Sequence, residues 1–90
     1  MLTYNSYQKR RFGIPRTLVL FNVVSGSENQ VLTSVKKVEG VEEAYVSYGV
    51  YDVVVKVRAD SMDALKELIS FRLRKINKVK STLSLILIEE

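Results

Sequence analysis

The chain has 90 residues, with 14 Lys and Arg against 10 Asp and Glu, no His, no Cys, no Trp, and 47% hydrophobic residues. That length fits one small domain, and without Cys or His the residues for thiol or Ser-His-Asp catalysis, structural zinc, His-ligated haem and disulfides are all missing. Lys9, Arg10, Arg11 and Arg16 precede Thr17 while the first acidic residue is Glu28, so the body is balanced and the N-terminal segment holds the whole net charge of +4.

Residues Met1 to Arg16 are polar, basic and aromatic, lack helical or strand period, and end at the Gly13 to Pro15 punctuation, which reads as an arm. A basic stretch before apolar Leu18 to Val24 and small Ser25, Gly26 and Ser27 has the ingredients of a signal peptide. Asn22 interrupts that run, sheet-forming residues dominate it, and the fold needs it as a strand. With no apolar run near the ~18 residues of a membrane span, a cytoplasmic protein is expected.

Thr17 to Val24 is a β-branched and aromatic run closed by Ser25-Gly26-Ser27, which predicts the first strand. Ser27 and Gln30 have the spacing of a capping box, so a helix is expected to start there. Its apolar stripe is Val31, Leu32, Val35 and Val38, with Lys36 and Lys37 near the negative C-terminal end, and Gly40 is expected to stop it in the left-handed conformation.

Val41 to Tyr48 and Val53 to Ala59 are strand-like runs around Gly49-Val50-Tyr51-Asp52, which predicts a hairpin. Glu42 and Glu43 suit a solvated edge, where charge discourages further strand pairing. Asp60 and Ser61 suit the cap of a second helix, with Met62, Leu65, Ile69, Leu73 and Ile76 as its core stripe. Phe71 lies off that stripe and is expected to flank an oligomer contact, with Leu68 extending the same patch. The cations Arg72, Arg74, Lys75, Lys78 and Lys80 complement the dipole at this helix's end. Val79 to Ile88 completes the strands.

The order is β-α-β-β-α-β. An internal echo supports it, since Lys37-Val38-Glu39-Gly40-Val41 resembles Lys75-Ile76-Asn77-Lys78-Val79. With right-handed crossovers this gives an α+β, ferredoxin-like antiparallel four-stranded sheet with both helices on one face. Leu18 and Leu20 alternate with Val19, Phe21 and Val23 in the first strand, and Leu83, Leu85 and Leu87 with Ile86 and Ile88 in the last. Both faces are therefore apolar, and a sheet-to-sheet homodimer is expected to cover the one the helices leave open. The simpler alternative is that the arm covers it within one chain.

Chemistry concentrates in the hairpin, where Tyr45, Tyr48, Gly49, Tyr51 and Asp52 lie together. Gly49 can adopt positive φ and admit a ligand to the backbone, exposed amides can take a carboxylate, and Asp52 can take an ammonium. Those are the two ends of an amino acid. Gly and Asp are also ordinary turn formers and Tyr an ordinary strand residue, so the pattern fits a purely structural hairpin as well.

Glu39-Gly40-Val41, Ala44-Tyr45, Tyr48-Gly49-Val50-Tyr51-Asp52-Val53, Lys56-Val57 and Val79-Lys80-Ser81-Thr82 together resemble the effector domain of the Lrp/AsnC (feast/famine) transcription regulators, called the RAM domain. The likeness covers about Thr17 to Glu89. It implies a ferredoxin-like fold, dimerisation through the sheets, and assembly as a ring of four dimers that binds small amino acids between dimers. Gly49, Tyr51 and Asp52, with Ser81 and Thr82, match the family's effector-pocket region, and Tyr48 adjoins them. The implied roles are backbone groups around Gly49 for the carboxylate, Asp52 for the ammonium or for shaping the loop, and the two hydroxyls as further hydrogen-bond partners.

The regulators also carry a helix-turn-helix domain, for which the sixteen residues before Thr17 are too few. The expectation is a stand-alone effector domain of residues 17–90 behind an arm of 1–16, with no catalytic residue, metal or cofactor. It would sense an amino acid alone or co-assembled with a full-length regulator. One alternative is nucleic-acid binding by the arm, where Tyr4, Tyr7 and Phe12 stack on bases and Lys9, Arg10 and Arg11 pair with phosphates. Another is an enzyme using Asp52, Tyr51 and Lys56.

Overall fold

The computed structural model describes residues 16–87. The predicted arm, with Lys9, Arg10 and Arg11, and the last strand's Ile88 lie outside the described residues. The elements are β1 (Arg16–Val23), α1 (Glu28–Lys36), β2 (Val41–Val46), β3 (Val53–Val57), α2 (Met62–Glu67) continued by a π-helical segment (Leu68–Leu73), and β4 (Val79–Leu87). They form one antiparallel sheet of order β2-β3-β1-β4, the expected ferredoxin-like arrangement. Among the described residues no helix is long and apolar enough to cross a membrane.

Alternation in β1 sorts the faces as predicted. Val19, Phe21 and Val23 are buried in the core with Val53, Val55 and Val57 of β3, whereas Leu18 and Leu20 are half-buried on the opposite face. Cross-strand register sets Leu20 between Val54 and Leu83, and Leu18 between Lys56 and Leu85. Leu83 and Leu85 are 44% and 40% exposed, so an apolar strip runs across an uncovered sheet face.

Helix α1 buries Val31 and Val35, but the Ser27–Gln30 capping box does not form. Ser27 has φ −103 and ψ 11 and makes no side-chain cap bond, whereas an N-cap hydroxyl normally needs extended backbone to reach the first turn. A tight turn imposes that conformation: Ser27 N donates to Val24 O at 2.9 Å, and Gly26 has φ +86. The helix also stops at Lys36, before Gly40. Gly40 has φ +103, as its left-handed assignment required, but it serves the turn into β2.

Strand β2 ends at Val46 instead of Tyr48 and β3 at Val57 instead of Ala59. The hairpin closes early because Ser47 N donates to Asp52 O at 2.8 Å, and Arg58 N beyond β3 turns to Gly40 O at 2.7 Å. As expected, β2 is a charged edge: a bulge between Val41 and Glu43 lets Glu42 and Glu43 lie 3.7–3.9 Å from Lys56 and Arg58.

The second helix departs most from its predicted stripe. Ser61 caps it, its hydroxyl accepting from Ala64 N at 3.0 Å. Met62 is partly exposed, however, and Leu68, expected at the surface beside Phe71, is buried with Leu65 and Leu73. At 3.6 residues per turn, Leu68 and Leu73 would lie ~140° apart. The π-helical winding bonds i to i+5, as in Arg74 N to Ile69 O at 2.9 Å, and stacks positions five apart. Phe71 is left 66% exposed.

The internal echo has a structural counterpart. Val41 N bonds to Val38 O and Val79 N to Ile76 O, both at 3.2 Å. The residues between them, Gly40 and Lys78, both have positive φ, and their carbonyls accept from Arg58 and Val24, the residues that follow β3 and β1. Each half of the domain thus enters its second strand through the same turn.

Candidate functional site

The C-terminal end of β1, the N-terminal ends of β3 and β4, and the loop 47–52 meet at one end of the sheet. The β1–β3 ladder stops at Phe21 opposite Val53, and Asp52 extends it. Its N–H donates to Phe21 O at 2.8 Å, and its Oδ2 accepts from Val23 N at 2.8 Å. The carboxylate supplies the partner that the end of β3 withholds from a buried strand's amide, a group that is costly to leave unpaired. One carboxylate oxygen carries that bond, leaving Oδ1 for another donor.

Beside it, Asn22 pairs with Ser81 across β1 and β4, and Asn22 Nδ2 lies at 3.5 Å, the long limit for a hydrogen bond, from Ser81 Oγ. Both sit on the uncovered face, in the same rank as Leu20 and Leu83. Thr82 pairs with buried Phe21 and so faces the helix side, because successive strand residues point to opposite faces. A register shift between Asn22 and Val23 bulges β4 at Lys80. Such bulges recur beside functional sites.

The six hairpin and strand residues expected to bind the effector therefore divide. Asp52 and Tyr51 are half-buried at the sheet end. Tyr48 is 98% exposed, and Gly49 with Val50 extends into open space, with nothing within 4 Å of a Cβ built at Gly49. Gly49 does not have the positive φ proposed for it; the six-residue loop spreads the chain reversal, so no single residue needs that conformation. Asn22, outside the expected set, is the polar group that the structure sets beside Ser81, and its signal in the sequence was the single polar interruption of the apolar first strand.

Tyr45 lies on the edge strand, opposite Val54 and in the same face as Leu20. Its hydroxyl donates to Glu43 Oε1 at 2.6 Å. That hydrogen bond, then the carboxylate's charge, then slight desolvation hold its phenol above the ordinary tyrosine pKa. A cleft of about 730 Å³ opens elsewhere, at the opposite end of the sheet between the start of β2, the end of β3 and the second helix. Among the described residues, no group of three or more His, Cys, Asp or Glu is placed to hold a metal.

A family model described as the Lrp/AsnC ligand binding domain matches residues 17–90, and the chain belongs to that family. Among solved structures, a hypothetical protein from Pyrococcus horikoshii is similar at 33% identity and TM-score 0.76, over 83% of this chain and 90% of that one. E. coli AsnC is similar at 25% identity and TM-score 0.78, over 83% of this chain and 51% of that one. The feast or famine regulatory protein from M. tuberculosis, complexed with L-methionine, is similar at 26% identity and TM-score 0.70, over 84% of this chain and 51% of that one. The chain thus spans about half the length of those two regulators. No curated protein matches the sequence. The family is a regulatory one, and the resemblance carried by the hairpin residues is established over the body of the chain.

Proposed function

We propose that this domain is an amino-acid-sensing module of transcription regulation, binding its effector at the sheet end around Asp52, Asn22 and Ser81. The single observation that carries the reading is that a ligand-binding family fold gathers a half-buried carboxylate, an amide and a hydroxyl at one end of its sheet, beside a loop of exposed backbone. The free oxygen of Asp52 suits an ammonium, and the amides of residues 48–50 suit a carboxylate. The M. tuberculosis relative, crystallised with L-methionine, supports the same ligand class.

The uncovered face of Leu18, Leu20, Val54, Leu83 and Leu85 supports a sheet-to-sheet homodimer. Each such side chain forgoes up to ~1.5–3 kcal/mol by remaining in water. Dimers assemble further, as a ring of four, and complete the effector site between them, since in one chain the loop tip has no neighbour on its outer side. The module acts alone or by co-assembly with a full-length regulator of its family.

A thermal-shift screen of the twenty amino acids tests the binding. Ligand bound only by the folded state adds ~2.7 kcal/mol at one hundred times Kd, so one or a few amino acids raise Tm by several degrees. Asp52→Asn is expected to abolish that response. A flat response across all twenty would overturn the reading.

A further inference from the structure

The cleft at the far end of the sheet plays no part in the proposed effector site. We propose that it is the seat of this chain's own basic arm, with Lys9, Arg10 and Arg11 on its carboxylate rim and Phe12 against Phe71. The cleft has an apolar floor, including Val41, Leu68 and the exposed ring of Phe71. Its rim carries Glu39, Glu42, Asp60 and Glu67 against Arg58 and Arg72, a net negative lining. Glu42 is engaged by Arg58 and Lys56, but Glu39, Asp60 and Glu67 have no cationic partner within 4.0 Å among the described residues. Before Arg16 the arm brings three cations and no acid.

Topology selects this occupant. The arm joins the body at Arg16, and the next residue, Thr17, pairs with Val57, immediately before Arg58 of the cleft. From Arg16 to Lys9 an extended chain reaches up to ~25 Å, while the far side of β2 lies about two strand spacings, ~10 Å, away. The family match begins at residue 17, where the arm ends. Arg74, Lys75, Lys78 and Lys80 of a second copy offer similar charge, but a tethered segment acts at an effective concentration of order mM. Phosphate, as in a nucleic acid, is repelled by the rim. Seating the arm gives the unpaired carboxylates cationic partners, and it gives exposed Phe71 an aromatic and cationic cover.

Carbodiimide coupling of the intact chain, which joins touching amines and carboxylates directly, tests the assignment by mass spectrometry. Lys9 is the arm's single lysine. The expected products join Lys9 to Glu39, Asp60 or Glu67. In a mixture of ¹⁵N-labelled and unlabelled chains, both peptides of each product are expected to carry the same isotope. Arg10→Glu with Arg11→Glu leaves Lys9 reactive and is expected to reduce these products at least fivefold, as is 1 M salt, where the Debye length falls to ~3 Å. Coupling of Lys9 to none of the three, to carboxylates elsewhere, between chains of different isotope, or undiminished by the charge reversal would each overturn the proposal.

Discussion

The carboxylate of Asp52 accepts the backbone N–H of Val23 at 2.8 Å, locking the hairpin between β2 and β3 onto the end of β1. The residue proposed to meet an effector's ammonium is therefore also a structural bracket, which Oδ2 serves.

The bracket and the binding role are separable by substitution. Asp52→Ala leaves Val23 N–H without its acceptor and is expected to cost about 1.5–3 kcal/mol in urea denaturation. Asp52→Asn keeps an acceptor for Val23, costs less, and removes the charge an ammonium needs. Equal stability losses for the two variants would contradict the bracket.

The paired turns at Gly40 and Lys78 predict changes of opposite sign. Lys78 has φ 77, a conformation that costs a residue with a side chain about 1–2 kcal/mol. Lys78→Gly relieves it against about 0.4–1 kcal/mol of added freedom in the unfolded chain. A net gain of about 0.5–1 kcal/mol and a Tm higher by a few degrees are expected. At Gly40 a Cβ would meet Arg58 O at 2.9 Å and Leu68 Cδ2 at 3.0 Å, so Gly40→Ala is expected to lose at least about 1–3 kcal/mol. Calorimetry of the two variants checks both signs.

The apolar strip on the open face predicts self-association that depends on it. Leu20→Lys or Leu83→Lys sets a charge in the middle of that strip, and with ~1.5–3 kcal/mol lost per leucine, dimerisation is expected to weaken at least about tenfold. Sedimentation velocity at matched concentrations reads the change. A wild-type chain that sediments as a monomer would remove the sheet-to-sheet dimer.

Tyr45 is expected to titrate above the ordinary tyrosine value of 10.0. The bond to Glu43 requires the protonated phenol, so its contribution is fully present below the unfolded-state pKa and is lost as pH rises through the higher folded value. Ultraviolet titration against Tyr45→Phe isolates this group, and Glu43→Gln is expected to lower its pKa.

Periodicity alone determined the element order, the ferredoxin-like topology and the two faces of β1, because strand alternation and turn residues are local properties: Val19 and Phe21 point one way and Leu18 and Leu20 the other whatever lies above them. The hairpin motif, in register with the segments around Gly40 and Ser81, pointed to the family. Tertiary structure decided the rest. Leu68 entered the core because π-helical winding, invisible to a 3.6-residue count, turned it inward. Ser27 lost its cap because a neighbouring turn fixed its backbone. Asp52, Asn22 and Ser81 lie 29 to 59 residues apart, and only the pairing of β1 with both β3 and β4 brings them to one end of the sheet.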